Sequence, residues 1–164
     1  CVSVIDAKDM ANLKTLKTVD LQGFGDGVWT YGDYLYVATG QHRTGENLSY
    51  KERRGMGHGM EIFDISDPVN PKHISRIGFD FCHMSANDLW TPRPCSGGKY
   101  VAVADTYNGF YIVDAHNYEN LSILTKLSFT RDDNGKAAPV TSLAIGKGVI
   151  YISVFNGLGF YALV

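Results

Sequence analysis

No apolar run in this sequence approaches the roughly 20 residues that a membrane-crossing helix needs, so no membrane span is expected. Basic charge is not in excess either. The formal net charge is −2, which argues against nucleic acid as a partner, because such partners are met by a basic face. No stretch carries an amphipathic helix of three turns, and the best helical candidate is the short segment 47–54. The strand–GxxxxGK[ST]–helix pattern of a phosphate loop is absent, as is the GxSxG of a nucleophile elbow. No signal-peptide pattern opens the sequence, which begins in a strand-like run. Cysteine is sparse, and the compartment is not legible from it. What remains is a globular, β-rich chain of ordinary single-domain length, in which 12% aromatics and 18 glycines suit strands joined by tight turns.

Those glycines and aromatics recur in order. Gly59-Met60-Glu61-Ile62-Phe63-Asp64 returns 50 residues later as Gly109-Phe110-Tyr111-Ile112-Val113-Asp114, and Gly159-Phe160-Tyr161-Ala162-Leu163 follows after another 50. Val2-Ser3-Val4-Ile5-Asp6 is an earlier copy. Self-similarity at such a period marks a propeller or a solenoid. Around each copy the pattern reads as four short antiparallel strands, A to D, joined as a meander. Residues 34–38, 100–104 and 149–154 are the B strands, and the glycine-headed repeats are the C strands. Gly23, Gly25 and Gly27 read as chain breaks, Ala86–Trp90 as strand A of the second unit, Pro92–Gly98 as a turn, and residues 39–58 as a polar insertion. Such a sheet buries both faces only by stacking on its like. The expectation is one β-propeller domain over 1–164, with blade pieces at about 1–22, 23–80, 81–130 and 139–164.

Ile62-Phe63-Asp64-Ile65-Ser66-Asp67-Pro68-Val69-Asn70-Pro71, followed by an apolar strand, resembles the LVIVD repeat. Val4-Ile5-Asp6 and Ile112-Val113-Asp114 are looser copies without the paired prolines. The resemblance implies a β-propeller, often within bacterial exported or surface proteins, and no single activity. Two full blades and two partial ones would make an arc, expected to be part of a larger propeller. Its partners would be the remaining blades of the parent chain, or further copies through self-association.

In a meander, connections alternate between the two ends of the sheet. The A–B and C–D turns share one end. The B–C and D–A connections share the other, which collects residues 22–27, 39–58, 80–85, 105–108, 130–139 and 155–158. Loops on a rigid scaffold are where function tends to sit. The candidate ligand-binding residues are therefore His42, Arg43, Arg53, Arg54, His58, His83 and Tyr107. Arginine forks suit carboxylate or phosphate, and the plain counterpart is a solvated charge run. His42, His58 and His83, with Cys82 beside the last, are weak candidates for a metal site, set against polar histidines on a solvated rim. His73 and His116 fall at the other end, as surface residues. Cys82 and Cys95 flank a strand, about 20 Å or more apart, so no disulfide is expected between them.

The reading is of a non-catalytic binding or scaffold propeller in an extracellular or cell-surface protein. It would use protein–protein or glycan contacts through the B–C and D–A end, with no cofactor. The alternative is a propeller enzyme with metal-assisted hydrolysis at the same end.

Overall fold

The computed structural model describes residues 1–43, 47, 49, 51–53, 56–80, 89, 91–131, 135–155 and 160–163. Strands β1 (Val2–Asp6) and β2 (Lys14–Val19) form a two-stranded sheet. Strands β3 (Gly23–Tyr31), β4 (Tyr34–Arg43), β5 (Gly59–Asp64) and β6 (Lys72–Gly78) form a four-stranded antiparallel meander. A second meander contains β7 (Arg93–Cys95), β8 (Tyr100–Asp105), β9 (Gly109–Asp114) and β10 (Ser122–Leu127). A short ribbon, β11 (Thr130–Arg131) with β12 (Lys136–Ala137), leads to the three-stranded sheet β13 (Val140–Gly146), β14 (Val149–Phe155) and β15 (Phe160–Leu163). The chain is all-β, its blades are of propeller type, and the single helical element among the described residues is a 3₁₀ turn at Thr106–Asn108.

The C strands begin at residues 2, 59, 109 and 160. Period-two alternation explains how they pack, because successive side chains leave opposite faces of a strand. Tyr36, Ala38, Met60 and Ile62 face Val101, Val103, Tyr111 and Val113 in one buried cluster. The intervening Ala102, Ala104 and Phe110 turn the other way, against Val140, Leu143, Ile152 and Val154. Leu35, Val37 and Phe63 turn back towards Val2 and Val19. Both faces of the two central strands of each meander are therefore covered, and each fully buried large side chain contributes about 1.5–3 kcal/mol.

The Asp that ends each C strand builds the next turn. Asp6, Asp64 and Asp114 each accept the backbone N–H two residues on, at 3.0, 2.8 and 3.0 Å. A second Asx turn follows three residues later. Asp9 and Asp67 accept from Ala11 and Val69 and from the side chains of Asn12 and Asn70, and Asn117 accepts from the Glu119 N–H. The glycine that heads the repeat also has a cause. A Cβ on Gly59 would collide with the carbonyl oxygen of Ile77, and one on Gly109 with that of Leu127, so the same crossing of strand D recurs 50 residues on.

Four readings of the sequence change. Arg93–Cys95, inside the stretch read as the Pro92–Gly98 turn, is an edge strand paired with β8, and the turn is confined to Ser96–Lys99. Prolines 92 and 94 resemble a turn signal, but an edge strand tolerates proline because its outward N–H needs no partner. Residues 86–88 and 90 lie outside the described residues, while Leu89 bridges to Asp105. Gly23, Gly25 and Gly27 do not break the chain. They lie inside β3 at two register shifts, and at Gly23 and Gly27 neighbouring backbone comes too close for a side chain: Thr91 Cα would be 2.8 Å from a Cβ on Gly27. Strand β4 continues to Arg43, so the polar insertion starts five residues later than its composition implies. The 130–138 segment, read as a loop, contains the β11–β12 ribbon.

Candidate functional site

The alternation of ends is fixed by backbone hydrogen bonds. At one end Asp33 O accepts from Ile65 N–H at 2.8 Å, and its repeat equivalent, Lys99 O, accepts from Ala115 N–H at 2.8 Å. At the other end His58 O accepts from Phe79 N–H at 3.0 Å, and Pro139 O from Phe155 N–H at 2.8 Å. The long connection between β4 and β5 therefore sits with the 105–108 turn and with the entry to the 80s segment.

Two blades are joined at that end by a buried polar pair. His58 Nε2 lies 2.8 Å from Asp105 Oδ2, and both side chains are wholly inaccessible to solvent. Asn108 Nδ2 donates to the same carboxylate oxygen at 3.0 Å and to Asp80 O at 2.6 Å. Lys126 Nζ reaches Asp80 Oδ2 at 3.3 Å and stands over the Tyr111 ring, which stacks on Phe79 with centroids 4.4 Å apart. Burial pushes the Tyr111 hydroxyl above its ordinary pKa. Side-chain polar atoms taken out of water need partners, and His58, Asp105 and Asn108 supply them to one another across the two blades.

The stem of the long connection belongs to the core. Thr39 donates to Gly57 O at 2.8 Å, and Thr39, Gly57 and His58 are buried. Arg76 crosses over the return, donating to His58 O at 3.2 Å and to Met56 O at 3.4 Å. Within the connection, Ser49 and Glu52 close a reciprocal cap. The Ser49 N–H and hydroxyl donate to Glu52 at 2.8 and 2.6 Å, and the Glu52 N–H returns to the hydroxyl at 3.4 Å. The Ser49 hydroxyl and N–H hold the Glu52 carboxyl below its usual pKa. Arg53 N–H donates to Ser49 O at 3.1 Å.

Of the residues singled out in the sequence, His58 is buried against Asp105, Arg53 and Tyr107 are half-buried, and His42 and Arg43 end β4 with side chains outside the described set. Arg54 and His83, like Cys82, lie outside the described residues. Among the described residues no three His, Cys, Asp or Glu side chains gather as metal ligands. Cys1 and Cys95 are free thiols.

Two groupings escaped sequence reasoning. Glu61 is fully buried. One oxygen accepts from Gln22 N–H at 2.7 Å and Gly23 N–H at 3.4 Å, while the other lies 3.3 Å from His73 Nε2. The signal was a lone carboxylate in an apolar C strand, where the next copy has Tyr111. His73 is exposed, as read from the sequence, with its ring nitrogen beside this buried carboxylate. At the opposite end, Tyr34, Asp64, Ile74, His116, Tyr118 and Glu119 line an open cleft of about 460 Å³ between the two meanders. Tyr36 donates to Tyr118 at 3.2 Å below it, and burial, then that bond, raises the Tyr36 hydroxyl well above the usual phenol range. His116 Nδ1 sits 2.7 Å from Asp114, whose carboxyl the His116 N–H holds below its usual value.

The LVIVD repeat matches residues 22–42 and 96–125. The first segment covers β3 and β4 and stops where the long connection begins. The second runs from the A–B turn of the next meander through β8 and β9 into β10. The Ile62–Pro71 stretch lies outside both segments; the long connection separates it from the A and B strands that the first match covers. No curated protein matches the chain. Matched strands, the recurring Gly and Asx devices and the stacked antiparallel sheets agree, and the chain carries LVIVD repeats of β-propeller type.

Proposed function

We infer that the chain is a non-catalytic binding or scaffold module of an exported or cell-surface protein, contacting a protein or glycan ligand through the B–C and D–A end. The observation that carries the reading is the His58–Asp105 pair. It lies at the end where a propeller enzyme would need its histidine and carboxylate, yet both side chains have no solvent exposure. A sealed pair serves as a clamp between blades, since a general base must reach the proton it takes. The clamp holds the return of the long connection against the next blade, and its outer part, with Arg53 and Met56 partly exposed, is left for contact. The exported setting rests on the family likeness.

The test is a glycan and peptide array probed with the intact chain and with a variant in which 44–56 is replaced by a Gly-Asn turn. Chromogenic ester, phosphoester and glycoside substrates are assayed in parallel, with and without chelator. Retained fold with lost array binding and no turnover is the expected result. Chelator-sensitive turnover by the intact chain would replace this reading with the hydrolase.

A further inference from the structure

The edge strands β3, β7 and β13 of three sheets bring together a set of side chains that the clamp does not use. Arg93 stands over the Trp29 ring, with the guanidinium carbon 4.0 Å from the ring centroid. Beside it, Thr91, Arg93, Thr141, Ser142 and Leu143 line a small cavity of about 60 Å³. Trp29 is 44% exposed, so the platform is reached from solvent.

The arginine is prepared and unspent. Pro92 and Pro94 flank it, and their fixed φ angles limit the backbone freedom of this edge strand. Stacking on indole restrains the plane of the guanidinium and leaves its edge donors available. Among the described residues no carboxylate lies in ion-pair distance of Arg93, and its N–H groups have no hydrogen-bond acceptor. The hydroxyls of Thr91 and Ser142 likewise have no hydrogen-bond partner among the described residues, whereas Thr141 donates weakly to Ser153 O at 3.4 Å. One fixed cation, two uncommitted hydroxyls and a cavity with room for more than one water, each needing about 10–15 Å³, match one kind of occupant.

We propose that Arg93, braced on Trp29 and flanked by Thr91 and Ser142, is the binding site for a small oxyanion group: a phosphate, a sulfate or a carboxylate. The guanidinium edge donates two parallel bonds to it, and the hydroxyls supply the remaining donors. The site lies on these edge strands, apart from the long connection, and does not depend on the function proposed above.

Isothermal titration of the intact chain with sodium phosphate, sulfate and acetate, at constant ionic strength set with chloride, tests the proposal. Saturable binding of one anion per chain is expected. Arg93→Gln should weaken it at least about tenfold, and Arg93→Lys, which keeps the charge but loses the fork, by less. Thr91→Val and Ser142→Ala should each weaken it further. Phosphate and sulfate bound above acetate identify a tetrahedral group, and acetate alone identifies a carboxylate; both support the site. Replacement of 44–56 should leave the affinity unchanged, which separates this site from the loop face. No saturable binding, or equal binding by the wild type and Arg93→Gln, would overturn it. If Arg93→Gln fails to fold by circular dichroism, unaltered binding in Arg93→Lys and Thr91→Val together overturns it equally.

Discussion

Gly59 and Gly109 show how much of this fold turns on single atoms. Each heads a C strand at the point where a carbonyl of strand D passes over it, and Gly109 also holds a positive φ of 91°. A methyl group there meets backbone, which cannot step aside as a flexible side chain would. Gly109→Ala should therefore cost about 2 kcal/mol or more, through both the strained dihedral and the clash, and Gly59→Ala should cost a similar amount through the clash alone. Gly135→Ala makes the control for φ: it has a φ of 64° and open space around its Cβ, so only the dihedral term is paid. Urea unfolding midpoints of the three variants give the ranking, with Gly109→Ala lowest. The glycine heading each repeat was legible in the sequence as a recurrence. Its cause was not, because the colliding carbonyl lies 18 residues further along the chain, at 77 and 127.

Turns and edge strands mark the limit of what the sequence states about elements. The B and C strands were legible because aromatic and β-branched residues alternate in them and both faces are buried. The Arg93–Cys95 edge strand of the second meander was not, since Pro92 and Pro94 carry a turn signal that an edge position neutralises. Glu61 was also missed as a site, for a carboxylate in a buried strand reveals its partners, Gln22, Gly23 and His73, only in three dimensions. The Asx turns after the C strands carry a pH signature. The Ser66 N–H lowers the Asp64 carboxyl, the Asn70 side chain lowers that of Asp67, and the His116 N–H lowers that of Asp114. A carboxylate whose folded-state pKa is depressed contributes stability above its unfolded value, here near the ordinary 3.8, and loses it as pH falls through the folded value. Thermal midpoints should thus fall steeply below that pH. The triple variant Asp64→Asn, Asp67→Asn, Asp114→Asn keeps an acceptor oxygen in each turn, as Asn117 does natively, and should flatten the acid limb with little change at neutral pH. An acid limb identical to that of the wild type would remove the turns from the explanation.

Across the whole molecule, the His58–Asp105 pair ties the β3–β6 and β7–β10 meanders together at the B–C and D–A end. Removing the imidazole takes from a buried carboxylate the partner that lies 2.8 Å away, a loss of about 3 kcal/mol for His58→Ala. That is a large share of the stability of an ordinary domain, about 5–15 kcal/mol. A local clamp would loosen only its own strand, but a clamp between blades must loosen both. Hydrogen–deuterium exchange of wild type and His58→Ala, followed peptide by peptide under native conditions, separates the two cases. The expected result is joint loss of protection in 57–64 and 100–108, with the 115–121 turn at the opposite end unchanged. Protection at 100–108 that stays at the wild-type level while 57–64 opens would contradict a loop face locked across blades.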